Sequence, residues 1–282
     1  MTTENDVFNA ANLREQQFID FQLVCPVATV AYQGCSTVQW GTGYTPPTSG
    51  KANGRVCTKT SVGALPFTAP PGSKHWFLKG ATFVANQSAA ANSLTIYIVD
   101  RLAEVQLLLA ETSGAITGCD ASGKLGSTAG RGDGALIYAE ACGASLGTST
   151  TLSLGYTSQV GTGSRSTGSV SSLASQVQGG PFTATTPFLP FQAGDWGARS
   201  IDSITAVSGS GTGNILVSLV KVLGEVSMSS QGCVSERDFC MEFPIMQRVR
   251  DDAFLQFIVI GQTTFTASNA SLLGTLELVA LS

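Results

Sequence analysis

"TTLSLGYTSQVGTGSRSTGS", residues 150–169, decides how the chain is read. Leu152, Leu154 and Tyr156 alternate with small residues, the period of two expected of a half-buried strand, and the run then gives way to glycine, serine and threonine. The same pattern recurs on both sides. Candidate strands are "PVATVAY" (26–32), "HWFLKGATFV" (75–84), "SLTIYIVD" (93–100), "EVQLLLAE" (104–111), "ALIYAEACG" (135–143), "SIDSITAV" (200–207), "NILVSLVKVL" (214–223), "AFLQFIVIG" (253–261) and "SLLGTLELVAL" (271–281). Turn-rich clusters such as "GTGYTPPTSGKANG" (41–54) and "SGSGTG" (208–213) separate them. Short strands punctuated in this way predict an all-β chain, a β-sandwich or jelly roll, rather than alternating strand and helix units.

Helix signals are few. "SERDFCMEFPIM" (235–246) opens on Ser235 with Asp238 three residues later, a capping pattern, and Pro244 would end it after one or two turns. Residues 1–24 differ from the rest, with Asn5, Asp6, Arg14 and Glu15 among scattered apolar Val7, Phe8, Leu13 and Phe18. They read as an N-terminal arm or short helix ordered on a neighbour, with Phe8, Leu13 and Phe18 as its anchors. Residues 25–282 form the sandwich, divisible near 158–194, where a nearly uncharged stretch reads as a linker or a long loop. No internal repeat of fixed period is present, which argues against a solenoid or propeller.

Charge is the most unusual property of the chain. Of its 282 residues 12% are charged, against roughly a quarter in an average soluble domain. The shortage is concentrated: between Glu140 and Asp195 the sole charge is Arg165, and the spans from Asp202 to Lys221 and from Asp252 to Glu277 have none inside. With 43% hydrophobic residues and a formal charge of −4, the chain has the composition of a folded protein. Its surface must then be built from Ser, Thr, Gly, Gln and Asn, which can be buried against other subunits with little charge to desolvate. The acidic balance argues against a nucleic-acid surface, which needs a dense Lys/Arg face.

The N-terminal residues lack the basic start and apolar core of a secretory signal, and the longest compact apolar run, 253–260, is far short of a helical membrane span. Seven cysteines without a CxxC pair read as free, buried thiols in a reducing compartment. No cofactor or metal set is visible.

One stretch, "GCDASGKLGSTAGRGDG" (118–134), resembles two binding motifs at once. As a phosphate loop it fails, because Leu125 stands where Ser or Thr would hold magnesium and the glycines that follow cannot begin a helix. Arg131-Gly132-Asp133 is short enough to arise by chance, and Asp-Gly before "ALIY" is an ordinary entry into a strand. The segment reads as a long exposed connection. The single histidine, His75, has no second histidine for a relay or zinc site. Asp195, Asp202, Glu225 and Asp251-Asp252 are carboxylates available for glycosidase-like chemistry, but nothing in the sequence selects a pair, so the chain reads as non-enzymatic. Tyr32, Trp40, Tyr44, Trp76 and Trp196 are candidates for a sugar-stacking platform or for the core.

The succession of "TTLSLGYTSQVGTGSRSTGS", "PFLPFQAGDWGARSIDSITAV", "GNILVSLVKVLGEVSM" and "SERDFCMEFPIMQRVRDDAFLQFIVIG" resembles structural proteins of tailed-bacteriophage virions, of the β-sandwich type that decorates or cements capsids. The likeness runs over about residues 74–280 and is one of segment order and style. It implies a homo-oligomer, a trimer by preference, on the outside of the shell. The major capsid protein or another virion protein would be the partner, with assembly in the bacterial cytoplasm and no direct contact with nucleic acid or membrane. The chain is longer than small decoration proteins, which leaves room for a tail or head-fibre role. In that alternative, a receptor- or glycan-binding module would use loop-tip residues Tyr44, Lys51, Asn53, Arg55, Lys124, Arg131 and Asp133.

Overall fold

The structure is a computed structural model that describes residues 15–24, 34–36, 45–86, 93–109, 111–125, 134–144, 146–172, 179–183, 186–208, 213–228, 234–242, 246–261 and 271–282. The expected strand at 26–32 and the candidate residues Phe8, Leu13, Tyr44, Arg131 and Asp133 lie outside these.

The described chain is nearly all β, in three antiparallel sheets. The central sheet is built on two fifteen-residue strands, β5 (Leu94–Leu108) and β12 (Asn214–Met228), which pair along their whole lengths. β15 (Leu255–Gly261) and then β2 (Gly34–Ser36) continue the sheet beyond β5, β7 (Ala135–Cys142) flanks β12, and the short β3 (Arg55–Val56) also pairs with β5. A second sheet runs β1 (Gln16–Val24), β16 (Ser271–Leu281), β4 (His75–Asn86) and β13 (Val234–Asp238), with β14 (Arg248–Val249) on β4. The third runs β10 (Val170–Ser171), β8 (Thr151–Ser158), β11 (Ala198–Ser208) and β6 (Gly114–Ala115), with β9 (Arg165–Ser166) on β8.

Two bulges let the central sheet serve both of its neighbours. On β12, Val220 sits opposite Arg101 and Leu219 opposite Ala103, so Leu102 is an extra residue; Leu223 is a second extra residue, between the partners of Val99 and Ile98. Each extra residue reverses the in–out parity of its strand. One face of β5 therefore carries Leu94, Ile96 and Ile98 at one end and Ala103, Val105 and Leu107 at the other. The first end packs in a core with Phe21, Phe83, Phe257, Leu276 and Leu278, under the sheet of β1, β16 and β4. The second packs with Leu152, Leu154, Tyr156, Ile201 and Ile204, under the sheet of β8 and β11. The sequence predicts two strands, 93–100 and 104–111, where the protein has one, because the parity change at Leu102 looks like an interruption.

The chain start is also placed. Residues 16–24 are neither helix nor detached arm but strand β1, paired with β16 over nine residues, and Ile19 and Phe21 enter the first core. The capping pattern at Ser235 does not start a helix: 235–238 belong to β13, and α1 (Phe239–Glu242) is a single turn capped by Asp238, whose Oδ1 accepts the Cys240 N–H at 2.8 Å. Residues 158–194, read as linker or long loop, contribute β9 and β10 to the third sheet and Phe182 and Leu189 to its core. Part of this stretch runs along β7, with Phe182 N–H donating to Ala139 at 2.7 Å and Leu189 N–H to Ile137 at 2.8 Å.

Candidate functional site

The few charges the chain has are turned inward to an uncommon degree. Asp100, Arg101, Glu104, Lys124 and Glu140 are all buried. Arg101 is the hub: its guanidinium donates to Glu104 Oε2 at 2.7 Å, Glu140 Oε1 at 2.6 Å and Gln256 Oε1 at 2.8 Å. Arg55 closes the other side of Glu104, donating from Nε to Oε1 at 2.7 Å, and also reaches the Thr45 carbonyl at 2.9 Å. Two guanidinium and two carboxylate groups thus balance one another on the central sheet, the arrangement in which buried charge is tolerated.

A second group surrounds Asp100. Its Oδ1 accepts the Phe254 N–H at 2.8 Å, while Oδ2 is buried without a hydrogen-bond partner among the described residues. Burial raises its pKa to about 6 against the opposing pull of Lys124 and of the Phe254 N–H. Burial likewise pushes the thiols of Cys57 and Cys119 up, and that of Cys240 to about 12, which disfavours their thiolate forms. Cys57, Cys119 and Cys240 are free thiols.

Lys51, Asn53, Arg55 and Lys124, the described members of the loop-tip set, are used within the chain. Lys51 Nζ is held by the Thr112 carbonyl at 2.9 Å and its hydroxyl at 3.0 Å, and Asn53 donates to the Ser49 carbonyl at 3.1 Å. Arg55 is committed to Glu104. Lys124, expected on an exposed connection, is only 3% exposed: it lies over Asp252, donating to that residue's carbonyl at 3.3 Å. The sequence reads as an exposed connection because glycines surround Lys124; its burial goes with pairing to an aspartate 128 residues away, which spacing cannot reveal.

Three of the candidate carboxylates are engaged by donors within the chain. Asp195 accepts the Tyr156 hydroxyl at 2.8 Å, Asp202 accepts Thr157 and Ser200, and Asp252 faces Lys124 and Arg250. His75 Nδ1 accepts from Arg248 at 2.8 Å. Among the described residues no group of three His, Cys, Asp or Glu is arranged to hold a metal ion, and no helix is long and apolar enough to cross a membrane.

Exposed charges are few among the described residues (Asp20, Asp120, Glu236, Asp238, Arg248 and Asp251), and large apolar side chains are exposed beside them. Phe18, the described member of the arm set, is 59% exposed on β1. β1 ends its sheet, and since Glu15 accepts the Ala280 N–H at 2.9 Å, the alternation of antiparallel pairing turns the N–H and C=O groups of Phe18, Asp20 and Gln22 away from β16. Among the described residues nothing pairs with that edge. At the opposite edge of the same sheet, Val234 on β13 is also exposed. Of the aromatic candidates, Trp76 is core, its indole N–H donating to the Thr68 carbonyl at 2.9 Å, whereas Trp196 is 60% exposed.

No protein family matches the chain, and no curated protein does. Among solved structures, the chain is similar to that of the infectious bursal disease virus Gx strain, at 9% identity and a TM-score of 0.22, over 94% of this chain and 80% of that one. It is similar in the same degree to the infectious bursal disease virus VP2 subviral particle, at 9% identity and 0.22, over 95% and 80%. Scores of that size do not establish a common arrangement of strands, and the reading of this chain rests on its own residues.

Proposed function

We propose that the chain is a non-enzymatic structural subunit of a virion, a decoration or cement protein that binds the outside of the capsid as a homo-oligomer, with a trimer favoured, and contacts the major capsid protein. The observation that carries this reading is the inward turn of its charges. A chain already poor in charged residues buries Asp100, Arg101, Glu104, Glu140 and Lys124, leaving few charges on an exterior that also carries exposed apolar side chains. Such a surface loses little hydration when copies pack together, so contact area converts to stability with a small desolvation cost. The open edge of β1, with Phe18 outward, supports a lateral contact to a copy or to the capsid protein. Many such contacts across capsomer boundaries would resist the outward pressure of packaged DNA. The described members of the loop set offered for a receptor-binding role, Lys51, Asn53, Arg55 and Lys124, bond within the chain, which favours the structural reading over that alternative.

The test is to mix the purified protein with particles lacking it and image them. Ordered density on the shell is expected; absence of binding, or density confined to a tail, would reject the proposal.

A further inference from the structure

Most sheet edges among the described residues are short or closed. In the central sheet β2 has three residues and β3 two, and β7 is lined by the chain at 180–189: Ala141 N–H donates to the Gly180 carbonyl at 3.0 Å and Leu189 N–H to the Ile137 carbonyl at 2.8 Å. In the third sheet β6, β9 and β10 have two residues each. In the second sheet β13 is tied to the end of β12, with Arg237 donating to the Glu225 carbonyl at 2.5 Å and Ser235 Oγ to the Ser227 carbonyl at 2.8 Å. β1 is the long edge left open among the described residues, and its nine residues pair with β16 without a register break.

Along that edge Gln16, Phe18, Asp20 and Gln22 turn their N–H and C=O groups outward, because the odd-numbered residues bond β16. Proteins that stay monomeric blunt such an edge with lysine, proline, a bulge or a covering segment. Residues 16–24, QQFIDFQLV, hold no lysine or proline, and Phe18 stands exposed among them. An edge of this kind takes another extended strand, and a second copy of the chain supplies one of equal length. The other described edges of that copy are short or closed, so the strand it supplies is β1 itself. The same edge then meets the same edge, which makes the contact isologous and gives it a twofold axis.

We infer that two copies pair edge to edge through β1, antiparallel, with the twofold axis at Phe18. The inference rests on the reading of the chain as a homo-oligomer and names the strand that joins the copies. The side chains choose the register. Centred on Asp20, the pairing would use all nine residues but would set the two Asp20 carboxylates opposite each other, and like charges in that position are destabilising. Centred on Ile19, it would set each Phe18 ring against a carboxylate. Centred on Phe18, it sets that ring against the partner's Phe18, so two exposed rings cover each other. Each Asp20 then lies opposite the partner's Gln16, whose amide is a donor for the carboxylate. The second sheets of the two copies become one continuous sheet, and trimers held through other surfaces would be joined in pairs by it.

The experiment is disulfide cross-linking of the full chain, read beside analytical ultracentrifugation. Across the axis the two Phe18 Cα atoms would be about 5.5 Å apart, within the roughly 4.4–6.8 Å that a disulfide spans, whereas the two Asp20 Cα atoms would be about 14 Å apart. Phe18→Cys is therefore expected to give a covalent dimer with oxidised glutathione, and Asp20→Cys and the parent to give none. The parent should sediment as a dimer or a multiple of two. Phe18→Pro removes an N–H that faces away from β16 and should halve that mass with circular dichroism unchanged. Phe18→Lys leaves the backbone intact, sets like charges across the axis and should do the same. A monomeric or trimeric parent, a mass that neither variant lowers, or a cross-link as strong in Asp20→Cys as in Phe18→Cys overturns the inference. Particles play no part in this readout. A monomer that still binds shells would overturn the twofold and leave the capsid reading, and a cross-linked dimer that binds no shell would do the reverse.

Discussion

Arg101 and Glu104, three residues apart on one strand, share a face and bond at 2.7 Å because Leu102 between them is a bulge. On a regular strand, residues at i and i+3 point to opposite faces. The extra residue restores the match and places Glu104 between Arg101 and Arg55. The same bulge lets the apolar residues of β5 serve two cores, so one irregularity sets both the packing and the buried ionic network.

Arg101→Met is therefore expected to be severe. It removes the guanidinium that bonds Glu140 and one of the two that bond Glu104, and breaking a buried pair on one side costs about 3–5 kcal/mol. Adding Glu140→Gln to that variant should recover part of the loss by removing a buried charge that has lost its Arg101 contact. Urea denaturation of the single and double variants checks this; additive losses would show that the two residues do not act as a unit.

Asp100 gives a pH-dependent prediction. Its pKa is raised from 3.8 to about 6, so the folded state binds the proton more tightly than the unfolded state. Between those values stability falls as pH rises, and the penalty of ionised Asp100 is complete above about pH 6 and absent below about 3.8. Asp100→Asn keeps an acceptor for the Phe254 N–H and removes the charge. The variant should exceed the parent by up to about 3 kcal/mol at pH 7, with the difference vanishing near pH 4. Parallel melts across that range test it, and a constant difference would refute the assignment.

These two sites show what the sequence could and could not reveal. Alternation of residue types placed strands such as Thr151–Ser158 and Ser271–Leu281 almost to the residue, although Thr151–Ser158 is buried on both faces, its outer positions being filled by small residues. β5 reads as two strands because the bulge shifts the phase. β1 keeps the period, with Ile19 and Phe21 buried and Asp20 and Gln22 exposed, but it follows the mostly polar residues 1–15 and so reads as part of an arm. The ionic network joins Arg101 to residues 39 and 155 positions away, and only the order β15, β5, β12, β7 in the central sheet brings them together. Trp196 and Trp76 had equal claims as platform residues; their separation depends on which side of the chain packs, which local pattern does not encode.

Gly118, which opened a failed phosphate motif, has a structural duty instead. It adopts φ = +83°, and a Cβ there would lie 2.2 Å from the Gly54 carbonyl oxygen. Gly54 in turn donates its N–H to the Thr117 carbonyl at 2.9 Å, so the two segments touch backbone to backbone. Gly118→Ala should combine left-handed strain with a clash that no side-chain rotation relieves, costing about 1–3 kcal/mol in a chemical melt. Gly123→Ala, where a Cβ would meet nothing within 4 Å, is the control and should lie near the parent.

Phe18 separates folding from assembly. Deleting residues 1–20 would remove Ile19 from the core along with half of β1, so loss of particle binding by that truncation would report unfolding as readily as a lost contact. Phe18→Thr avoids this, because the side chain is exposed and threonine retains strand propensity. Its stability should stay within about 0.5 kcal/mol of the parent. If the edge of β1 is the contact surface, the variant should bind particles and self-associate more weakly, as read by co-sedimentation and by analytical ultracentrifugation. Deletion of residues 1–14, which stops short of β1, then distinguishes the strand edge from the residues before it. Weakened binding in Phe18→Thr with full binding in the deletion assigns the contact to the edge, and the reverse assigns it to residues 1–14.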